Sequence, residues 1–113
     1  MKRLLAMVMV SLFVVGCSQS EESKEEMDKI ARIRVAKESI QKTLVDPKSA
    51  EYKDIYVHKN REGVKAVCGY VNAKNRLGGY AGYEPFLAVG SIAATKSQGG
   101  KEFAEAWNTY CEG

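Results

Sequence analysis

The sequence predicts an α+β fold: an N-terminal amphipathic helix, a three-stranded antiparallel sheet, and a C-terminal helix tied back by a Cys68–Cys111 disulfide. Three observations predict it. Apolar residues recur at three- and four-residue steps from Met27 to Leu44, the period of a helix with one buried stripe. Three short segments between residues 52 and 90 are rich in Tyr, Val and Ile and are bounded by Gly, Asn and Pro, as strands and turns are. A last stripe of Phe103, Trp107 and Tyr110 or Cys111 has helical spacing again.

The 113-residue chain is sized for one small domain. Residues 1–16 have the form of an export signal. Lys2 and Arg3 are the positive start, Leu4–Val15 is an apolar run broken only by Ser11, and Val14-Val15-Gly16 leads into Cys17. The run is short for a permanent span and right for a signal peptide. Removing it leaves 97 residues from Cys17, with 15 Lys+Arg against 14 Asp+Glu, a net charge of +1. That near-neutral balance argues against nucleic acid as a partner. A core this small commonly needs a covalent staple.

Val14-Val15-Gly16-Cys17 resembles the lipobox of bacterial lipoproteins. The resemblance implies cleavage after Gly16, with Cys17 as the lipidated N-terminal residue held in the bilayer by its acyl chains. Ser18, where an aspartate would signal inner-membrane retention in enterobacteria, implies the outer membrane, facing the periplasm. Residues 17–22 then form the lipidated N-terminus and a polar tether, and 23–113 form the domain.

Within the domain, Ser23-Lys24-Glu25-Glu26 fits a capping box, and Glu25, Glu26 and Asp28 suit the positive end of a helix. The stripe of Met27, Ile30, Ile33, Ala36 or Lys37, Ile40 and Leu44 carries that helix to about Val45. It carries no aromatic, which favours packing on a sheet over lying on a membrane surface. Asp46-Pro47 stops it, and a short turn runs on to Ala50.

Tyr52–Lys59 alternates as a strand with one wet face, and Asn60–Gly63 is a hairpin turn. Val64–Ala73 is the central strand, apolar on both faces. Lys74–Gly82 is a long connection, and Tyr83–Gly90 is the third strand, with Pro85 near its start or on an edge. Ser91–Gly100 is read as loose, and Lys101–Tyr110 as the last helix.

Cys17 being committed to lipid, an exported chain is left with Cys68 and Cys111, which pair as one disulfide. The chain-entropy model gives that closure about 4 kcal/mol. A metal or thiol site lacks ligands: His58 is the one histidine and no CxxC occurs. No cofactor is implied. Asp54 and Glu84 could be imagined as paired carboxylates, yet nothing in the spacing joins them, and no nucleophile–base arrangement stands out. The composition therefore reads as a non-enzymatic protein.

The unusual stretch is Asn72 to Tyr83. Asn72, Lys74, Asn75, Gly78, Gly79, Tyr80 and Tyr83 form a candidate binding loop. Asn75 and the glycines suit positive φ, and the tyrosines offer flat amphipathic surface. The plainer reading is a structural turn whose tyrosines lid the core. A phosphate cradle is not supported, because no GxxxxGK[ST] pattern is present.

Asp46-Pro47-Lys48-Ser49-Ala50-Glu51-Tyr52, Val67-Cys68-Gly69-Tyr70-Val71-Asn72-Ala73-Lys74-Asn75, Gly78-Gly79-Tyr80 with Gly82, and Phe103…Trp107…Tyr110-Cys111 together carry a resemblance. The combination is similar to a group of small exported bacterial and prophage-associated proteins with a DPxSAxF…VCGxVNAKNxxGGYxG…FxxxWxxYC pattern, Tyr52 standing where Phe is commoner. The resemblance supports the fold and the cysteine pairing and brings no settled activity. The functional expectation is an envelope binding module with a protein partner, of exclusion, immunity or inhibitor type. A structural accessory subunit of an envelope complex is the alternative.

Overall fold

The computed structural model describes residues 20–113; the signal expected over residues 1–16 and the lipid site expected at Cys17 lie outside the described residues. Four antiparallel strands form one sheet in the order β1 (Glu51–Lys59), β2 (Lys65–Asn72), β3 (Glu84–Val89), β4 (Ile92–Thr95). Helix α1 (Glu21–Gln41) lies on one face, and α2 (Lys96–Trp107) with a π-helical turn (Asn108–Glu112) lies on the other. Among the described residues no helix is long and apolar enough to cross a membrane.

Two cores follow from the central strand, whose successive side chains point to opposite faces. Val67 and Val71 pack with Phe86, Ala88, Ala36 and Ile40 under α1. Ala66 and Cys68 pack with Leu87, Phe103 and Cys111 under α2. Tyr52 sets its ring edge-on to Phe86 at 5.8 Å between centroids.

Strand β1 sets residues from both of its halves on the α1 side because of a bulge. Lys53 pairs with Tyr70 and Tyr56 with Cys68, which leaves Asp54 and Ile55 together opposite Gly69. Asp54 takes the left-handed region at φ 51, which Asp tolerates better than most residues. The extra residue brings Tyr52, Ile55 and Val57 to the same face. Strict alternation without the bulge would set Tyr52 on the face of Asp54 instead.

Helix α1 differs from its expected limits at both ends. Ser20, not Ser23, is the cap: its Oγ accepts from the Ser23 amide at 3.2 Å, so Glu21 and Glu22 are helical rather than tether. The helix ends at Gln41, short of Val45, because the Thr43 amide and hydroxyl both take the Ile40 carbonyl, at 2.9 and 2.7 Å. Ile33, Ala36, Ile40 and Leu44 pack on the sheet as the stripe predicts. Met27 and Ile30 stay 55% and 61% exposed, since the first turns of α1 make little contact with the sheet. Asp28 accepts from Arg32 at 2.8 Å and from Lys65 at 3.1 Å, tying α1 to β2. The Arg32 bond first and the Lys65 bond second hold the Asp28 carboxyl below its ordinary pKa.

The expected three strands become four. Ser91–Gly100, expected to be loose, holds β4 and the first turn of α2, which starts at Lys96 rather than Lys101. A two-residue turn, Gly90-Ser91, joins Val89 to its partner Ile92. Thr95 begins α2, its amide donating to Gln98 Oε1 at 3.0 Å, and Gly100 interrupts the helix with φ 55 and ψ −130. The Cys68–Cys111 disulfide is formed, joining β2 to the π turn. Trp107 stacks on Phe103 at 5.8 Å beside it.

Candidate functional site

Lys74–Gly82, expected as a long connection, holds a small hairpin of its own from Lys74 to Tyr80. Lys74 and Tyr80 bridge as antiparallel partners, the Asn75 amide donates to the Gly79 carbonyl at 2.9 Å, and the Gly78 amide donates to Asn75 O at 3.0 Å. Asn75 Oδ1 also accepts from Leu77 N at 3.0 Å and Gly79 N at 3.3 Å. Asn75 thus organises the turn through its side chain, not through positive φ; Gly78 supplies that, at φ 80.

The same device occurs at the β1–β2 turn. Asn60 Oδ1 accepts from Glu62 N at 3.0 Å and Val64 N at 2.9 Å, and Gly63 stands at φ 83. Its main-chain bonds, Asn60 N to Val64 O and Gly63 N to Asn60 O, match those of Asn75. Asn60-Arg61-Glu62-Gly63 and Asn75-Arg76-Leu77-Gly78 are one turn used twice, with Arg second in both. Asn60 is buried and also donates to Thr109 O at 3.2 Å, whereas Asn75 is exposed.

Three further bonds fix this hairpin to the domain. Lys74 N donates to Ser49 Oγ at 2.8 Å, Tyr80 OH donates to Ser49 O at 3.0 Å, and Asn72 Oδ1 accepts from Gly82 N at 3.1 Å. Partial burial of the Tyr80 hydroxyl first, and the negative Glu51 nearby second, raise its pKa above the ordinary phenol value.

Tyr80 and Tyr83 do not lid the core. They are 45% and 42% exposed, and Leu77 at the tip is 95% exposed. Tyr83 is held from below by Lys53, whose Nζ lies 4.3 Å from its ring centre and 5.8 Å from that of Tyr70. Tyr70 in turn lies 6.3 Å from Trp107. Lys74 Nζ lies 5.7 Å from the Tyr80 ring. The expected loop residues are therefore brought to one end of the sheet but serve two roles. Asn72, Asn75, Gly78 and Gly79 make the frame, and Lys74, Tyr80 and Tyr83 are its surface.

Arg76, Leu77 and Lys53 belong to that surface and were not singled out from the sequence. Leu77 could have been found as the one large apolar residue in a run otherwise polar, aromatic or glycine. Lys53 becomes visible only through the register that sets it opposite Tyr70.

Elsewhere the titratable groups stay apart. Glu84 Oε1 accepts from Ser97 Oγ at 2.8 Å, on a strand separated from Asp54 by β2. His58 Nε2 lies 3.5 Å from Gly113 O. Among the described residues no three His, Cys, Asp or Glu gather as a metal site. Among the concave regions of the described residues are an apolar groove of about 330 Å³ lined by Leu87, Ile92, Phe103 and Tyr110, and a mixed, shallow cleft of about 180 Å³ between Leu44, Val45 and the hairpin. Compared with protein-family models, curated proteins and solved structures, the chain matches none.

Proposed function

We propose that this protein is a lipid-anchored, non-enzymatic binding module of the bacterial envelope, tethered through Cys17 and engaging a protein through the Lys74–Tyr83 hairpin. The observation that carries this reading is a surface that is rigid and unfilled at once. Side-chain and main-chain bonds from Asn72, Asn75, Ser49 and Tyr80 fix the hairpin, while Leu77, Tyr80 and Tyr83 face solvent. A preformed loop with aromatic and apolar side chains loses little entropy on binding.

The position of the hairpin supports the same reading. Helix α1 has 21 residues, about 31 Å at 1.5 Å per residue. Three residues separate its N-terminal end from the proposed anchor, and the hairpin is bonded to Ser49 beyond its other end. A chain held at Cys17 would present the hairpin away from its own membrane, toward other envelope proteins.

Exclusion, immunity or inhibition of an incoming agent is the sharper form of this reading. It predicts altered phage or toxin sensitivity on expression, and unchanged sensitivity across a broad panel would count against it. The accessory-subunit reading draws on Ile92, 78% exposed on the free edge of β4 beside the 330 Å³ groove. Affinity purification of the full chain from envelopes, beside a Tyr80→Ala/Tyr83→Ala form, separates the two. Loss of a partner with the double substitution supports the hairpin; a partner retained in full contradicts it.

A further inference from the structure

The repeated turn provides an internal control for what its residues are for. At the third position the β1–β2 turn has Glu62 and the hairpin has Leu77, with the same amide bond to the asparagine oxygen, 3.0 Å in each. The turn therefore does not require leucine. Nor does packing: Leu77 is 95% exposed and joins neither core. A rigid turn that accepts a carboxylate elsewhere here holds out a large apolar side chain into water.

Within the hairpin itself the charges are one-sided, the acidic Glu51 and Asp46 lying on the domain side near Tyr80. From Lys74 to Tyr80 the hairpin carries Lys74 and Arg76 and no acidic residue. Neither cation takes part in an ion pair among the described residues. The Asn60 turn, by contrast, sets Glu62 beside Arg61.

We infer that Leu77 is the anchor of the hairpin surface, entering an apolar socket on a partner protein whose rim carries carboxylates that meet Lys74 and Arg76. This rests on reading the hairpin as a binding surface and deepens it by naming the residue that fills the partner and the chemistry of the partner's rim. A central apolar anchor within a polar rim is how small interfaces concentrate their affinity. The rim charges act mainly on the rate of encounter and on its salt dependence.

The test is site-specific photo-crosslinking of the full-length protein in cells, with benzoylphenylalanine at position 77, at position 62 or at position 83. Position 77 is expected to give one discrete protein adduct and position 62 to give none. With the crosslinker at position 83, Leu77→Glu, which installs the side chain the sister turn already accommodates, is expected to lower adduct yield about tenfold or more. Charge reversal by Lys74→Glu/Arg76→Glu is expected to lower it as well. An unchanged unfolding midpoint for Leu77→Glu shows that the fold is intact. A lipid adduct alone at position 77, an adduct with a second copy of this chain, or equal adducts at 77 and 62 would overturn the inference. A protein adduct from 83 but none from 77 would overturn it while leaving the hairpin as a binding surface. No adduct from either would remove both.

Discussion

Gly69 and Ile55 approach so closely that a Cβ on Gly69 would lie 3.1 Å from Ile55 Cγ1 and 3.2 Å from Ile55 Cα, with Phe86 Cε1 at 3.0 Å on the other side. The absent side chain is what lets the β1 bulge fold inward over β2. The bulge in turn delivers Tyr52, Ile55 and Val57 to one core. Gly69→Ala therefore strains a backbone atom and a packed ring together. It is expected to lose about 1–3 kcal/mol in urea unfolding, the range for overpacking a filled core. A loss near zero would mean that the bulge is not held by this contact.

The paired turns give a graded prediction. Asn60→Ala removes the acceptor for two amides and the donor to Thr109 O, all from a side chain that is itself buried, for an expected loss of about 2–3 kcal/mol. Asn75→Ala removes the same two acceptor bonds where water can replace them, for about 0.5–1 kcal/mol. Equal losses in parallel denaturant titrations would contradict the assignment of one turn to the core and the other to the surface.

Reduction of Cys68–Cys111 frees the π turn and the end of α2 from β2. The expected loss approaches about 4 kcal/mol, the chain-entropy value for a loop of this length and an upper figure in practice. Trp107 sits between Phe103 and Tyr70 next to the bridge. Its fluorescence should therefore shift to the red on reduction, and an unchanged spectrum with unchanged stability would show that α2 is held by packing alone.

Three of the six tyrosines, Tyr52, Tyr56 and Tyr80, are raised above the ordinary phenol pKa, in each case first by burial of the hydroxyl. A raised folded pKa means that the neutral form is favoured in the native state. Its contribution is whole below the unfolded value of about 10 and is lost as pH climbs through the folded value. Phenolate absorbance of the native protein should lag that of the protein in denaturant above about pH 10. The Tyr80 bond to Ser49 O should open only in that window, and coincident curves would contradict it.

Periodicity alone sufficed for the packed part of α1, because Ile33, Ala36 and Ile40 meet the sheet at the spacing of a helix, with Leu44 following on just past its end. The same pattern included Met27 and Ile30, which no sheet residue covers, since a stripe records spacing and not how far the opposing layer extends. Strand β4 was obscured by its four residues, two of them alanine, though Gly90-Ser91 between apolar pairs is a hairpin signal. The bulge at Asp54 was not legible at all. It depends on an opposite residue, Gly69, fourteen or more positions away in sequence. The loop residues were found by composition, but their division into frame and surface depends on contacts with Ser49 and Lys53 that only the folded chain makes.

Intact mass of the protein purified from membranes, before and after reduction and alkylation, tests the anchored-module account most directly. The account predicts a chain starting at Cys17 with added acyl mass, and two further thiols, Cys68 and Cys111, alkylated only after reduction. A chain that keeps residues 1–16, or that starts at Cys17 without acyl mass, would contradict it, and the hairpin would no longer be held out from a membrane at the far end of α1.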